Sequence, residues 1–165
     1  MNDTPVIFQG TFDPFTNGHL AVVKEALALF GAVRILLLVN PDKTPLFSVE
    51  ERKQMIIQAT AGLSGVSVDS FGGWLVDYMR EHHLDACVRG VRDEADAAYE
   101  LYNHHLSCQM YPELNSFLLP CPQNLQGISS SAVKAACEQG HLPAGWVPQP
   151  VQQKLQEKYG AIKVF

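Results

Sequence analysis

Residues 6–39 read VIFQGTFDPFTNGHLAVVKEALALFGAVRILLLV, and this stretch decides the fold. Val6-Ile-Phe8 has strand character and is halted by Gly10. From Asn17 to Phe30 the apolar residues Leu20, Val23, Ala26, Leu27 and Phe30 follow a helical period. Val33 to Val39 then runs with almost no polar interruption, as a strand does when both faces of its sheet are covered. A strand, a helix and an almost wholly apolar strand in succession make a parallel crossover unit.

Outward from this unit the alternation continues. Asn40-Pro-Asp42 is turn chemistry. Ser48-Val-Glu-Glu51 is a capping box opening a helix to about Ala61, with Met55, Ile56 and Ala59 inward. Val66–Phe71 reads as the third strand, Trp74–His83 as a helix, and Ala86–Val88 as the fourth strand, stopping at Arg89-Gly90. A long helix is expected over about Asp93–Met110, ending before Pro112, then a fifth strand over Ser116–Leu119. Ile128-Ser-Ser-Ser131 leads into a helix ending near Gly140, and Val151–Tyr159 into a last, exposed helix. The pattern predicts an α/β, doubly wound, five-stranded parallel sheet of Rossmann-like form. We expect a single domain over 1–165, its core at about 5–140 and a C-terminal helix at about 148–160.

Twelve Lys+Arg against 17 Asp+Glu give a net charge of −5, which argues against a broad nucleic-acid surface. The longest apolar run, Ile35–Val39, is far short of the ~18 residues a membrane span needs, so no membrane partner is expected. Met-Asn-Asp-Thr-Pro at the start lacks signal-peptide character, and the cytoplasm is the expected compartment. Cys87, Cys108, Cys121 and Cys137 form no CxxC pair and read as buried free thiols. The pairs His82-His83 and His104-His105 diverge by about 100° on a helix, and no metal-ligand spacing occurs, so no protein-held metal is expected.

In doubly wound sheets the ligand sits beyond the carboxyl ends of the strands, and the chemically loaded residues collect there. Gly10-Thr-Phe-Asp-Pro-Phe-Thr-Asn-Gly-His19 follows strand one; Thr16-Asn17 can cap the next helix, with His19 in its first turn. Alone, His19 would be a capping or surface histidine. Lys43 lies in a stiff turn between two prolines, suited to meeting phosphates or to solvation. Arg89 and Arg92 flank Gly90-Val91 and suit a polyanion, or ion pairs with Asp93, Glu94 or Asp96. Ser129-Ser-Ser131 offers hydroxyls and unpaired N–H groups at a helix start, with Lys134 one turn on.

Gly10-Thr-Phe-Asp-Pro with Thr16-Asn-Gly-His19, Arg89-Gly-Val-Arg92 and Ile128-Ser-Ser-Ser-Ala-Val-Lys134 together resemble the phosphopantetheine adenylyltransferase family of the nucleotidylyltransferase superfamily, over about residues 5–159. The resemblance implies adenylyl transfer from ATP to 4′-phosphopantetheine, giving dephospho-CoA and pyrophosphate, by in-line attack on the α-phosphate. It implies His19, Lys43, Thr11 and Arg92 as catalytic residues. For ATP it implies Thr11, Phe12, His19, Gly90, Val91, Arg92, Glu100, Leu125, Ser129, Ser130 and Ser131, and for the acceptor Thr11, Lys43, Leu75 and Arg89. Mg²⁺ is implied with ATP, CoA as a feedback inhibitor, and a homo-oligomer, often a hexamer. The chain departs from the family where Gln9 replaces a usual Pro, where Ala97-Ala98 replace an aromatic and an acid, and at Gly73, Trp74 and Gly127. These changes fall on walls that would meet adenine or acceptor. Transfer to another phosphorylated acceptor, and a non-catalytic nucleotide- or CoA-binding protein, are the alternatives.

Overall fold

Alternation along the central strands sorts the two faces of the sheet. Val6 and Phe8 join one buried cluster with Val33, Ile35 and Leu37, while Ile7 and Leu36 join a second cluster on the opposite face. The computed structural model describes residues 4–39 and 44–165. β1 (Val6–Gly10), β2 (Val33–Leu38), β3 (Val66–Phe71), β4 (Ala86–Val91) and β5 (Asn115–Pro120) form one parallel sheet. Its order is β3-β2-β1-β4-β5, so the winding reverses between β1 and β4.

α1 (Asn17–Phe30) and α2 (Val49–Thr60) bury Val22, Val23, Ala26, Met55 and Ile56 in the first cluster. α3 (Leu75–Glu81) buries Leu75, Tyr78 and Met79 in the second. Helices therefore cover both faces, as the apolar run Ile35–Leu38 of β2 requires. The Ser48–Glu51 capping box forms, with reciprocal bonds of 2.8 and 3.2 Å. Gly90 lets β4 pass close beneath α1: a Cβ there would stand 2.7 Å from Val22 Cγ2.

α4 (Glu94–Met110) has no buried residue. Two of its sheet-facing contacts are polar, Glu100 Oε2 lying 3.4 Å from Arg89 Nε and His104 Nδ1 2.9 Å from Ser116 Oγ, while Cys108 packs on the second cluster. Its apolar residues Tyr99, Leu101, Tyr102, Leu106 and Met110 point outward. α5 (Ser130–Glu138) and α6 (Gln149–Tyr159) complete the first face. Among the described residues no helix is long and apolar enough to cross a membrane.

Three expectations need correction. β4 does not stop before Arg89-Gly90; it runs to Val91, because β5 pairs with it through Arg89↔Leu118, Gly90↔Leu119 and Val91↔Pro120. The last helix is not simply exposed: Val151 and Leu155 are fully buried in the main cluster. The five expected strands are joined by two short ones: β6 (His141–Leu142) pairs with β7 (Lys163–Val164) in a separate sheet. Of the four free cysteines, Cys87, Cys121 and Cys137 are buried and Cys108 is half-buried.

Candidate active site

Where the winding reverses, the carboxyl ends of β1 and β4 diverge and leave a crevice, the place where such sheets bind ligands. A cavity of about 380 Å³ occupies it. β1 and its loop contribute Gln9, Thr11 and Phe12; α1 contributes Gly18, His19 and Val22. Arg89 and Gly90 come from β4, with Arg92 just beyond it, and Asp96, Tyr99 and Glu100 come from α4. Ser129 and Ser130 close the far side.

His19 is held by its own helix terminus. Thr16 is the N-cap: its Oγ1 accepts the His19 N–H at 3.3 Å, and the Thr16 N–H donates to His19 Nδ1 at 3.0 Å. This is a capping box in which histidine takes the place of the usual Glu or Gln. The ring packs among Phe8, Phe12 and Phe15, with centroids 6.3, 5.1 and 5.5 Å away. Burial, helped by the nearby Arg92 charge, lowers its pKa from 6.5 to about 4. The imidazole is therefore neutral near pH 7. Since Nδ1 accepts, the ring hydrogen belongs on Nε2, which remains as a donor for a ligand.

The loop before α1 is fixed from two sides. Asp13, buried, accepts N–H bonds from Leu46 at 2.8 Å and Phe47 at 3.0 Å, and lies 3.4 Å from Lys134 Nζ. Arg52, also buried, donates to the carbonyls of Thr11 at 2.7 Å, Phe47 at 3.1 Å and Ser48 at 3.3 Å. Burial pulls the Arg52 pKa down while the Asp13 charge pushes it up. Between these anchors Phe12 adopts a left-handed backbone, φ 50°, and its buried ring offsets that cost. Neither Asp13 nor Arg52 was a candidate from the sequence. Arg52 shared the helical stripe of Met55, Ile56 and Ala59, an inward position that a charged residue takes only when paired.

Among the described residues, the three cations expected at the site are engaged. Arg89 faces Glu100, and Arg92 is bound bidentately by Asp96 at 2.7 and 3.1 Å. That hydrogen-bonded pair raises the Arg92 pKa and lowers that of Asp96. Lys134 turns to Asp13 rather than into the cavity. Two serine hydroxyls are engaged as well: Ser129 Oγ accepts from the Ala132 N–H at 3.0 Å, and Ser130 Oγ donates to the Pro14 carbonyl at 2.8 Å. The N–H groups of Ser130 and Ser131, in the first turn of α5, have no partner within the helix and present a weak positive pole.

The structure thus brings together Thr11, Phe12, His19, Arg89, Gly90, Arg92, Glu100, Ser129 and Ser130. Val91, Leu125 and Ser131 are outside the cavity lining. Leu75 is buried beside Tyr78 and Met79 in the second cluster, because it sits on the sheet-facing stripe of α3. Lys43 lies outside the described residues.

Residues 7–136 match the cytidylyltransferase-like family. The phosphopantetheine adenylyltransferase of Shouchella clausii is 39% identical over 153 residues, 93% of this chain and 96% of that protein. That of Heliobacterium modesticaldum is 35% identical over 157 residues, 95% and 94% of the two chains. Among solved structures, a bifunctional NMN adenylyltransferase/ADP ribose pyrophosphatase from Francisella tularensis superposes with a TM-score of 0.68 at 19% identity. That match covers 96% of this chain and 52% of the other, so this chain spans about half of that protein and shares its fold. With the crossover loop, the Arg89–Arg92 segment and the Ser129–Ser131 helix start gathered at one switch point, and near-complete relatives at this identity, the chain belongs to the phosphopantetheine adenylyltransferase family.

Proposed function

We propose that the protein is a nucleotidyltransferase that moves the adenylyl group of ATP to 4′-phosphopantetheine, giving dephospho-CoA and pyrophosphate in coenzyme A synthesis. What carries this reading is His19: a neutral imidazole, its Nδ1 fixed as acceptor, with Nε2 left to donate into a cavity lined by two arginines. An acceptor phosphate is already an anion and needs no general base. Its oxygen attacks the α-phosphorus in line as the bond from that phosphorus to the bridging oxygen breaks, and pyrophosphate leaves. The protein's part is positioning and charge stabilisation.

In this mechanism His19 Nε2 donates to the α-phosphate oxygen on which charge builds. Thr11 and Lys43 orient acceptor and nucleotide, and Arg89 binds the acceptor. Gly90, Arg92, Glu100 and Phe12 hold the nucleotide, and Ser129–Ser131 receive the pyrophosphate through their N–H groups. Mg²⁺ accompanies ATP as a ligand of the phosphates. The carboxylates that face the cavity, Asp96 and Glu100, already lie against Arg92 and Arg89, so the ion's remaining ligands would be water.

CoA, which shares the acceptor's arm, is proposed as a feedback inhibitor, and the cytoplasm as the compartment. The outward apolar residues of α4 support a homo-oligomer, a hexamer on the family's pattern. A pyrophosphate-release assay tests the reaction, with ATP or CTP against 4′-phosphopantetheine, nicotinamide mononucleotide and a simple phosphorylated alcohol. Fast release is expected only with ATP and 4′-phosphopantetheine. Faster release with another acceptor overturns the acceptor assignment, and ATP binding without release from any pair overturns catalysis.

A further inference from the structure

The parallel pairing Ile7↔Cys87 and Phe8↔Val88 carries Gln9, next along β1, to the side of Arg89 on β4. With its amide oriented so that both groups are satisfied, the Gln9 side-chain oxygen accepts from Arg89 Nη1 and Nη2. On the other side of the guanidinium, Nε faces Glu100 Oε2 at 3.4 Å. The Arg89 and Glu100 side chains are only 15% and 20% exposed, so solvent does little to hold them in place. A guanidinium has five N–H groups. Gln9 takes one hydrogen on each terminal nitrogen, and Glu100 Oε2 lies against Nε as a charge partner without a hydrogen bond, which leaves one N–H on each terminal nitrogen for an anion.

The chemical type of residue 9 matters as much as its position. Glu100 already balances the Arg89 charge, and a second carboxylate would make the group net negative towards an incoming phosphate. A carboxamide orients the fork and leaves that balance unchanged. Proline, the usual residue here in the resembling family, has no side-chain acceptor and could not make this contact.

We propose that Gln9 is a positioning residue for the acceptor: it holds the Arg89 guanidinium in the orientation that receives the acceptor's phosphate, and so sets acceptor affinity. The inference rests on the proposed reaction and adds a specificity determinant to it. Steady-state kinetics with ATP and 4′-phosphopantetheine varied separately supply the first test. Gln9→Ala raises the acceptor KM about tenfold, the scale of one hydrogen bond to a charged group. The ATP KM and kcat change less than about threefold, because the bond is remote from the reacting phosphorus. Gln9→Glu raises the acceptor KM further. In an Arg89→Ala background, adding Gln9→Ala changes the acceptor KM less than about twofold, since the partner is already gone.

An acceptor KM that is unchanged overturns the proposal. One that falls in Gln9→Ala does so too, by showing that the carboxamide competes with the phosphate. Equal rises in both KM values, or full additivity with Arg89→Ala, also overturn it. A second measurement is independent of turnover: the Arg89 Nε–Hε resonance of the intact protein should be sharp in the wild type and shift or broaden in Gln9→Ala. If the wild type releases no pyrophosphate with this acceptor, the proposed reaction fails. The clamp is still decided by that resonance, and a signal unmoved in Gln9→Ala overturns it.

Discussion

Acidification is the most direct probe of His19. Its pKa of about 4 lies well below the ordinary 6.5, so at pH 6 only about one ring in a hundred is protonated, against roughly three in four for an unperturbed imidazole. The sign for stability follows. Between these two values the unfolded chain binds a proton that the folded chain refuses, so stability falls as pH drops from 6.5 towards 4. The loss is about 2 kcal/mol by pH 5 and approaches about 3 kcal/mol near pH 4. Long-range proton–nitrogen correlation spectra of the six histidines provide the assay. His19 should show an unprotonated Nδ1 and a protonated Nε2 that persist to about pH 5. Urea unfolding from pH 7 to 5 supplies the energetic half: His19→Gln should remove about 2 kcal/mol of the pH dependence. A His19 titration near 6.5, or a proton on Nδ1, would refute both the burial argument and the assignment of Nε2 as the donor.

Three further outcomes are expected. His19→Ala should lower kcat by roughly 10²–10³ with circular dichroism unchanged, the loss typical of one transition-state donor; unchanged turnover would remove His19 from the mechanism. Arg52→Met leaves the Thr11 and Phe47 carbonyls without their donor, while Ser48 keeps the backbone N–H of residue 52, and should lower unfolding stability by about 2–3 kcal/mol in urea and reduce kcat by loosening the Thr11 loop. Asp13→Ala strips the acceptor from two backbone N–H groups and leaves Lys134 unpaired, with an expected loss of about 2–4 kcal/mol by thermal or urea unfolding. A loss below about 0.5 kcal/mol would mean that water replaces the carboxylate.

Local signals were the ones the sequence displayed. The apolar run of β2, the Ser48–Glu51 box and the helical stripe of α1 each announce themselves within a few residues. What could not be read depends on partners distant in the chain. β4 continues through Arg89 only because β5 runs beside it, and His141 becomes a strand residue only because Lys163 returns to pair with it. Val151 and Leu155 carry a spacing of four, yet two apolar residues among glutamines and lysines do not declare a buried face until α2 and the core supply one. The site follows the same division. Thr16 and His19 were legible as a helix start, whereas the pairing of Nδ1 with the Thr16 N–H, which decides the tautomer, needed geometry. Arg52 was hidden because charge at an inward position reads as surface until its three carbonyls are seen.

That pairing also changes what the net charge of −5 means for a polyanion site. The described cations expected at the ligand edge are Arg89, Arg92 and Lys134, and each lies against a carboxylate: Glu100, Asp96 and Asp13. A phosphate chain therefore meets a cavity whose charged side chains are balanced in pairs. Attraction between whole charges is then weak until an anion either displaces a carboxylate or finds hydrogens the pairs leave over. The leftover donors are specific: His19 Nε2, the unshared N–H groups of Arg89, and the Ser130 and Ser131 amides at the start of α5. Donors of this kind are short-ranged and directional, so they reward an oxygen placed within about 3 Å and do little for one that is merely nearby. Such a site discriminates by geometry rather than by charge, and a transferring phosphorus, whose oxygens move as the bond forms, is the ligand for which directional donors matter most.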